Sequence, residues 1–400
     1  MSKNVLVLNG SYSEIPLIKA VQNLGYKAIV LSGKPDGHGH KIADKSIFCD
    51  YSNKEAVLKI AKEENIYAIV SGCHDFSLLT TCWVCEKLNL KGHDSFETSE
   101  IIHIKDKFRQ LVKTLNIKTP KSVICKNKND ISSIVNNLVF PVMIKAVDLT
   151  TGHGMTKCSS IKELESAISV AMSKTRKNYV IAEEFIEGSN HGFTTLIQNQ
   201  KVVFYFVDNE QHNINQYLVS GASTTTKMSK SAIDQLIKDC NKIAEHLKLV
   251  DGILHLQFIL DKNNIPTIIE ATRRAPGDLY TKFVELATGI NYSELIVKAE
   301  MGLDMGNIKQ CNPKNNIVRH CIMSNNTGLL KNVIINNNIK SHIKDSFECW
   351  KKGDIISNEK LYKAGICFIY FDTEEEMDKI LPSLNDLITI KTESIDEKNI

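Results

Sequence analysis

The sequence predicts a chain of mixed α/β and α+β class, built from more than one domain. Three observations carry that expectation. The chain has 400 residues, more than a single hydrophobic core organises well. Over the first hundred residues short apolar runs alternate with helical patterns, as in βαβ units. Farther on, strands come in pairs around polar turns, as in "GILHLQFILDKNNIPTIIEAT".

Residues 4 to 8 read as a buried strand. The next segment places Ile15, Ile18, Val21 and Leu24 on one helical face and stops at Gly25. Residues 27 to 32 and 67 to 72 read as further strands, with "NKEAVLKIAKEEN" and "FSLLTTCWVCEKL" as helices. This alternation implies a parallel sheet with right-handed crossovers, hence a Rossmann-like domain over residues 1–96. Its first turn, "NGSYSE", lacks the G-x-G-x-x-G pattern, and "LSGKP" offers no acidic residue for a ribose. NAD or FAD binding is therefore not expected, and the domain reads as a scaffold with one wall of a substrate pocket.

In "TSEIIHIKDKFRQLVKTLNIKTPKS", Phe108, Leu111, Val112 and Leu115 repeat at helical spacing, and Pro120 closes the unit. "FPVMIKAVDLTTGHGMTKCSSIKELESAI" reads strand, glycine loop, strand, helix. In "SKSAIDQLIKDCNKIAEHL" the stripe runs through Ile233, Ile237, Cys240, Ala244 and Leu247. The last hundred residues alternate strands such as "AGICFIYFDT" with the helix "EEEMDKILPSL".

Composition narrows the function. Hydrophobic content of 42%, charge of 24% and a formal net charge of +3 are those of an ordinary soluble protein. Without a dense basic block, nucleic acid is not an expected partner. No apolar run approaches the ~18 residues of a membrane span, and "MSKNVLVLNGSYSE" lacks a signal-peptide core, so a cytoplasmic location is expected. The 11 cysteines, scattered through apolar segments, suit reduced and packed thiols. "CWVC" (Cys82 to Cys85) has redox or metal spacing, but its helical setting and lack of a second ligand pair favour packing.

The chemistry lies in the order of a few charged residues. Lys107 opens a helix after Asp106, and Lys145 ends the strand "PVMIK". A lysine closing a buried strand needs an anionic partner, and phosphate is one. The loop "TTGHGM" (150 to 155) follows, with two glycines that let backbone N–H groups approach an anion. The strand "VIAEEFIEG" offers carboxylates and an extended backbone through Phe185 and Ile186, able to pair with a purine edge. In the hairpin, a four-residue turn over 261 to 264 places His255 opposite Glu270, with Gln257 and Thr272 on the same face. These oxygens suit Mg²⁺. Arg274 reaches the same place, while alternation turns Arg273 to the other face.

These pieces, "DK" at 106–107, "PVMIK", "TTGHGM", "EEFIEG", "GILHLQF" and "IIEATRRAPGD", resemble the ATP-grasp superfamily in content and order. Within it the chain is most similar to the carboxylate–amine ligase group, which includes bacterial L-amino-acid ligases and relatives of the carbamoyl phosphate synthase large chain. The resemblance implies a two-lobed ATP-grasp domain over 97–305, with lobes 97–180 and 181–305, and a small α+β domain over 306–400. It implies ATP with Mg²⁺, Mn²⁺ being an admissible substitute. Lys107 and Lys145 would meet phosphates under a lid of Thr151, Gly152, His153, Gly154 and Met155. Glu183, Glu184 and the backbone of Phe185 and Ile186 would meet adenine, and Asn190 stands at the ribose position. Glu270, Gln257 and Thr272 would hold the metal. Arg274 would be catalytic and, with Gly277 and Asp278, would bind substrate. The implied reaction joins a small carboxylate to an amine through an acylphosphate. Carboxylation, formyl transfer and a non-catalytic nucleotide sensor are the alternatives, and a homodimer is an open assembly. The chain departs from the family pattern at Gln257 (usually acidic), Thr272 (usually Asn), Asn190 (commonly Glu) and His153 (usually Lys or Arg).

Overall fold

The computed structural model describes residues 3–149, 152–225 and 227–394. The chain forms two compact units. The first comprises Met1–Phe206, Met228–Lys282 and Asn291–Cys311, and the second comprises Val207–Lys227, Phe283–Ile290 and Asn312–Ile400.

The first unit opens with β1 (Asn4–Leu8), α1 (Ile15–Asn23), β2 (Lys27–Ser32), β3 (Lys45–Phe48), α2 (Lys54–Glu63), β4 (Ile66–Val70) and α3 (Asp75–Leu88). The four strands are parallel, in the order β3-β2-β1-β4. Val5 to Leu8 are fully buried, as near-continuous apolar runs in a parallel sheet should be. The buried face of α1 is Leu17, Ile18, Ala20 and Val21, with Ile15 and Leu24 only half-buried at its rim. The sequence pattern missed β3, whose "KSIF" is half polar because it is an edge strand. Cys82 and Cys85 are buried free thiols on α3, and the Ser99 hydroxyl donates to Cys82 Sγ at 3.0 Å. Burial pushes both thiols up, which fits packing rather than redox chemistry.

Next come α4 (Phe96–His103) and α5 (Lys105–Thr114); the sequence places the opening of the second at Lys107. Ile104 separates them in extended conformation, at φ −89 and ψ 119. A second sheet follows, from β5 (Ser122–Cys125), α6 (Ile131–Asn137), β6 (Val142–Ala146), β7 (Met155–Cys158), α7 (Ile161–Lys174) and β8 (Val180–Glu184). It is antiparallel, in the order β5-β8-β6-β7. Val142, Ile144, Leu164, Ile168, Val180 and Ala182 build its core.

Then β9 (Ser189–Gln198), β10 (Lys201–Gln211), β11 (Gly221–Thr224), α8 (Lys230–Leu247), β12 (Gly252–Leu260) and β13 (Pro266–Thr272) follow in the chain. In the first unit, β13, β12 and β9 pair antiparallel in that order. The buried stripe of α8 is Ala232, Leu236, Asp239, Cys240, Ile243 and Ala244. It is rotated from the expected one, so Ile233, Ile237 and Leu247 flank it half-buried.

β10 carries the chain into the second unit, to which β11 belongs. The remaining strands there are β14 (Asn316–Met323), β15 (Gly328–Ile335), β16 (Ile343–Glu348), β17 (Ile355–Ile356), β18 (Lys363–Phe371) and β19 (Ile388–Glu393). The strands run β10-β11-β14-β18-β16, beside a three-stranded sheet β17-β15-β19. Val318, Ile322, Leu330, Ile369, Phe371 and Met377 form one core. No helix among the described residues is long and apolar enough to cross a membrane.

Candidate functional site

The hairpin β12–β13 sets the register of the candidate metal oxygens. Leu260 pairs with Pro266, so the turn holds five residues, not four, and the Asp261 N–H closes it on the Ile265 carbonyl at 3.3 Å. A bulge then inserts Ile269, because Phe258 pairs with Ile268 but Gln257 pairs with Glu270. Each irregularity shifts the register by one residue. Together they correct the expected pairing: Gln257 lies directly opposite Glu270, and His255 faces Thr272. Two single shifts restore the original face, so Gln257, Glu270 and Thr272 remain on one side. His255 is buried against the edge of Tyr280, and burial with the Arg274 charge lowers its pKa to about 3.

The lysine that meets Glu270 is Lys105. Its Nζ lies 2.9 Å from Glu270 Oε1 and 2.6 Å from the Leu149 carbonyl, and the residue is 6% exposed. Lys107, the lysine singled out in the sequence, pairs instead with Glu100 at 2.8 Å and is 40% exposed at its side chain. The reason is the break at Ile104. Helix α5 opens at Lys105, two residues earlier than expected, and the Lys105 N–H is tied to the Val147 carbonyl at 3.1 Å.

Lys145 and Glu183 come together as a buried pair. Their registers on β6 and β8 are diagonal neighbours, and Lys145 Nζ lies 2.6 Å from Glu183 Oε2. Arg109 adds an ion pair to Glu183 Oε1 at 2.7 Å and donates to the Ile269 carbonyl at the bulge. Burial raises the Glu183 pKa, but the two cations outweigh it and hold the carboxyl at about 2. Glu183 is thus turned inward, not presented to an adenine as the sequence suggested. Lys145 likewise has its anion inside the protein. Arg109 was not singled out, since a charge inside an amphipathic helix usually marks a solvated face.

The glycine loop is described from Gly152 onward; Thr150 and Thr151 lie outside the described residues. Gly152 (φ +76) and Gly154 (φ +68) need the left-handed region, His153 between them is exposed, and the Met155 N–H closes the turn on the Gly152 carbonyl at 3.3 Å. Across it, the Lys157 ammonium stands 3.7 Å over the Phe185 ring. The Phe185 N–H is taken by the Pro141 carbonyl at 3.2 Å, and the Glu184 N–H by the Lys121 carbonyl at 3.0 Å. Of the expected adenine contacts, Ile186 therefore keeps its backbone N–H and C=O unbonded among the described residues. Asn190 is exposed on β9 opposite Ile259.

Past the hairpin the two arginines part. Arg273 is buried, donating to Asp94 Oδ2 at 2.7 Å and to the Val250 and Ile253 carbonyls. Arg274 Nε donates to Asp75 Oδ1 at 2.8 Å, at the first turn of α3. Burial raises the Asp75 pKa, but Arg274 and His103 overcome it and hold the carboxyl well below the usual range. Asp278 is fastened to the first β–α turn: the Tyr12 hydroxyl donates to Asp278 Oδ1 at 2.7 Å, and the Asp278 N–H to Ser13 Oγ at 2.9 Å. Gly277 sits beside the same serine. That turn is braced by the buried Glu14, which accepts from Ser11, Asn9 and the Cys73 N–H. Beside it, the Gly39 N–H donates to the Gly10 carbonyl at 2.9 Å, and a Cβ on Gly37 would lie 2.3 Å from that oxygen. Tyr12→Phe should loosen the 276–279 segment, with a stability loss of roughly 1 kcal/mol in urea melts and faster amide exchange there. Unchanged exchange at Asp278 would show that the clasp is not holding the loop.

Residues 105–307, just over half the chain, match the family described as "Carbamoyl-phosphate synthase L chain, ATP binding domain". The arginine-specific carbamoyl phosphate synthase large chain of Bacillus subtilis is 26% identical over 278 residues, covering 66% of this chain and 26% of that one. The chain thus spans about a quarter of the length of the curated relatives it matches. Among solved structures, an L-amino acid ligase from Bacillus licheniformis superposes with a TM-score of 0.85 at 18% identity, covering 98% of this chain and 99% of the other. The biotin carboxylase domain dimer of the Hydrogenobacter thermophilus 2-oxoglutarate carboxylase, in complex with MgADP and bicarbonate, gives 0.80 at 17% identity, covering 98% and 91%. These likenesses establish the ATP-grasp fold.

Proposed function

Because the chain belongs to the carbamoyl-phosphate synthase L chain ATP-binding family, we propose that it is an ATP-dependent ligase joining a small carboxylate to an amine. The observation that carries this reading is one sheet face with Glu270 opposite Gln257, Lys105 on Glu270, and Arg274 at the strand's end. Glu270 and Gln257 supply hard oxygens at a half-exposed position, the donor set Mg²⁺ takes when phosphates complete its shell. The ion supplies charge neutralisation between those phosphates when bound. Lys105 and the 152–155 loop would meet the phosphates, and Ile186 would offer its backbone to adenine.

In the first step an oxygen of the substrate carboxylate attacks the γ-phosphorus. The bond from that phosphorus to the bridging oxygen breaks, and ADP leaves. In the second, the amine lone pair attacks the acyl carbon; the C–O bond to phosphate breaks, and the nitrogen loses its proton to solvent. Arg274 matches the negative charge that develops on the acylphosphate and the tetrahedral species. No enzyme nucleophile is needed. We place the domain limits at 1–96, 97–305 and 306–400, and the substrates are small molecules.

Phosphate release measured across carboxylate–amine pairs, with hydroxylamine trapping of the acylphosphate, tests the reading. Release with bicarbonate alone would favour carboxylation, and nucleotide binding without turnover on any pair would favour a sensor. A subunit assembly like the dimer of the 2-oxoglutarate carboxylase domain is open to sedimentation.

Gln257→Glu tests the metal face. A second carboxylate directly opposite Glu270 should cost roughly 0.2–1 kcal/mol without metal and tighten Mg²⁺, because it adds an anionic oxygen. The half-saturating magnesium concentration for nucleotide binding should therefore fall. If neither stability nor magnesium dependence moves, Gln257 is not at the metal.

A further inference from the structure

The candidate metal face carries its own cation. Lys105 has three N–H donors on its ammonium. Among the described residues one meets Glu270 Oε1 at 2.9 Å, one meets the Leu149 carbonyl at 2.6 Å, and the third has no partner. The ammonium is anchored rather than solvated. Its residue is 6% exposed, and its own backbone N–H is tied to the Val147 carbonyl at 3.1 Å. Asp148, between those two carbonyls, accepts from the Thr175 hydroxyl at 2.5 Å and from the Arg176 N–H at 3.0 Å, which fixes the segment that holds Lys105.

The charges on this face cancel without a metal. Of Glu270, Gln257 and Thr272, which share it, only Glu270 is charged. His255, facing Thr272, is buried and uncharged at neutral pH. Arg274 has its own anion in Asp75. The Lys105 ammonium therefore neutralises the one carboxylate that the face offers. Among the described residues no group of three His, Cys, Asp or Glu is placed to hold a metal ion. Mg²⁺ gives up its water reluctantly, and a neutral face gives it little in exchange.

We propose that Lys105 is a resident cation at Glu270, and that the site therefore takes a divalent ion only together with a nucleotide. Without nucleotide the ammonium holds the carboxylate and keeps free divalent ions off it by like-charge repulsion. The phosphates of a nucleotide bring the anionic oxygens that the face lacks. Lys105 gives its third N–H to a phosphate oxygen while it keeps Glu270, a charge-assisted contact. One ammonium and one divalent ion then share the neutralisation. This inference rests on the nucleotide-dependent reading above and specifies how its metal is loaded.

The test counts bound Mn²⁺ by its paramagnetism, first without nucleotide. Lys105→Met keeps the length and loses the charge, so it should bind free Mn²⁺ about ten-fold or more tighter than the wild type. Lys105→Arg should resemble the wild type, and adding Glu270→Gln to Lys105→Met should abolish the gain. In ATP with excess EDTA, Lys105→Met should bind nucleotide about ten-fold or more weakly, the loss of one charge-assisted contact. With ATP and Mn²⁺ together, the wild type should hold one ion per nucleotide. Thermal melts confirm folding. Unchanged free-ion affinity in folded Lys105→Met overturns the resident cation, and so do two ions per nucleotide on the wild type, a count that needs no variant. A Lys105-dependent Mn²⁺ titration in a protein that binds no ATP would leave the resident cation standing and sink the ligase reading.

Discussion

Arg274→Ala should lower kcat by about 10²–10³, the loss expected for one transition-state donor, while ATP affinity changes much less. The geometry of Arg274 suits the role proposed for it. Asp75 fixes its Nε at 2.8 Å, and a second edge donates to the Ala275 carbonyl at 3.1 Å. Burial opposes its charge, but Asp75 outweighs that, so it remains a cation beside Glu270. A preorganised charge helps most where negative charge moves, in the acylphosphate and the tetrahedral species, and least in the ground state. Arg273→Ala is the internal control. It strands Asp94 beneath the strand end, and breaking such a buried pair costs about 3–5 kcal/mol, so the loss should appear in a urea melt. Steady-state kinetics and melts on both variants decide the assignment. Turnover abolished by Arg273→Ala in a stably folded protein, with Arg274→Ala active, would exchange the two roles.

That these adjacent arginines part, one to Asp94 and the other to Asp75, was legible in the sequence, because strand alternation is a local rule. So were the parallel sheet, whose buried strands are near-continuous apolar runs, and the grouping of Gln257, Glu270 and Thr272 on one face. That grouping survived for a physical reason. A longer turn and the bulge at Ile269 shift the register by one residue each, and a shift of two leaves every side chain on its original face. What the sequence hid was set by distant contacts. Nothing in "HIKDK" marks Ile104 as a break, since it is neither Gly nor Pro; the Val147 carbonyl that takes the Lys105 N–H belongs to the turn after β6. Lys105 was therefore passed over for Lys107. The inward turn of Glu183 was equally silent, because β8 is buried on both faces and alternation says nothing there. Tyr12 reaches Asp278 across 266 residues, and Asp75 reaches Arg274 across 199.

Glu183→Ala should be the most destabilising single change in the first unit. It leaves Lys145 and Arg109 as two buried cations without their anion, and removing one partner of a buried pair costs about 3–5 kcal/mol. The loss reaches the site through Arg109, whose guanidinium also holds the Ile269 carbonyl at the bulge that sets Gln257 opposite Glu270. Glu183→Gln keeps the shape and an acceptor oxygen but not the charge, and should fall between alanine and the wild type. The pH dependence has a definite sign. The folded carboxyl is held at about 2, below its ordinary value of 4.5, so its contribution is complete above about pH 5. It fades as pH falls toward 2, a displacement worth about 3 kcal/mol. Urea melts of the wild type and Glu183→Gln between pH 6 and pH 3 should therefore converge as acid is added, with the wild type losing the larger share. Parallel curves over that range would mean that Lys145 and Arg109 do not hold the ionised form of Glu183.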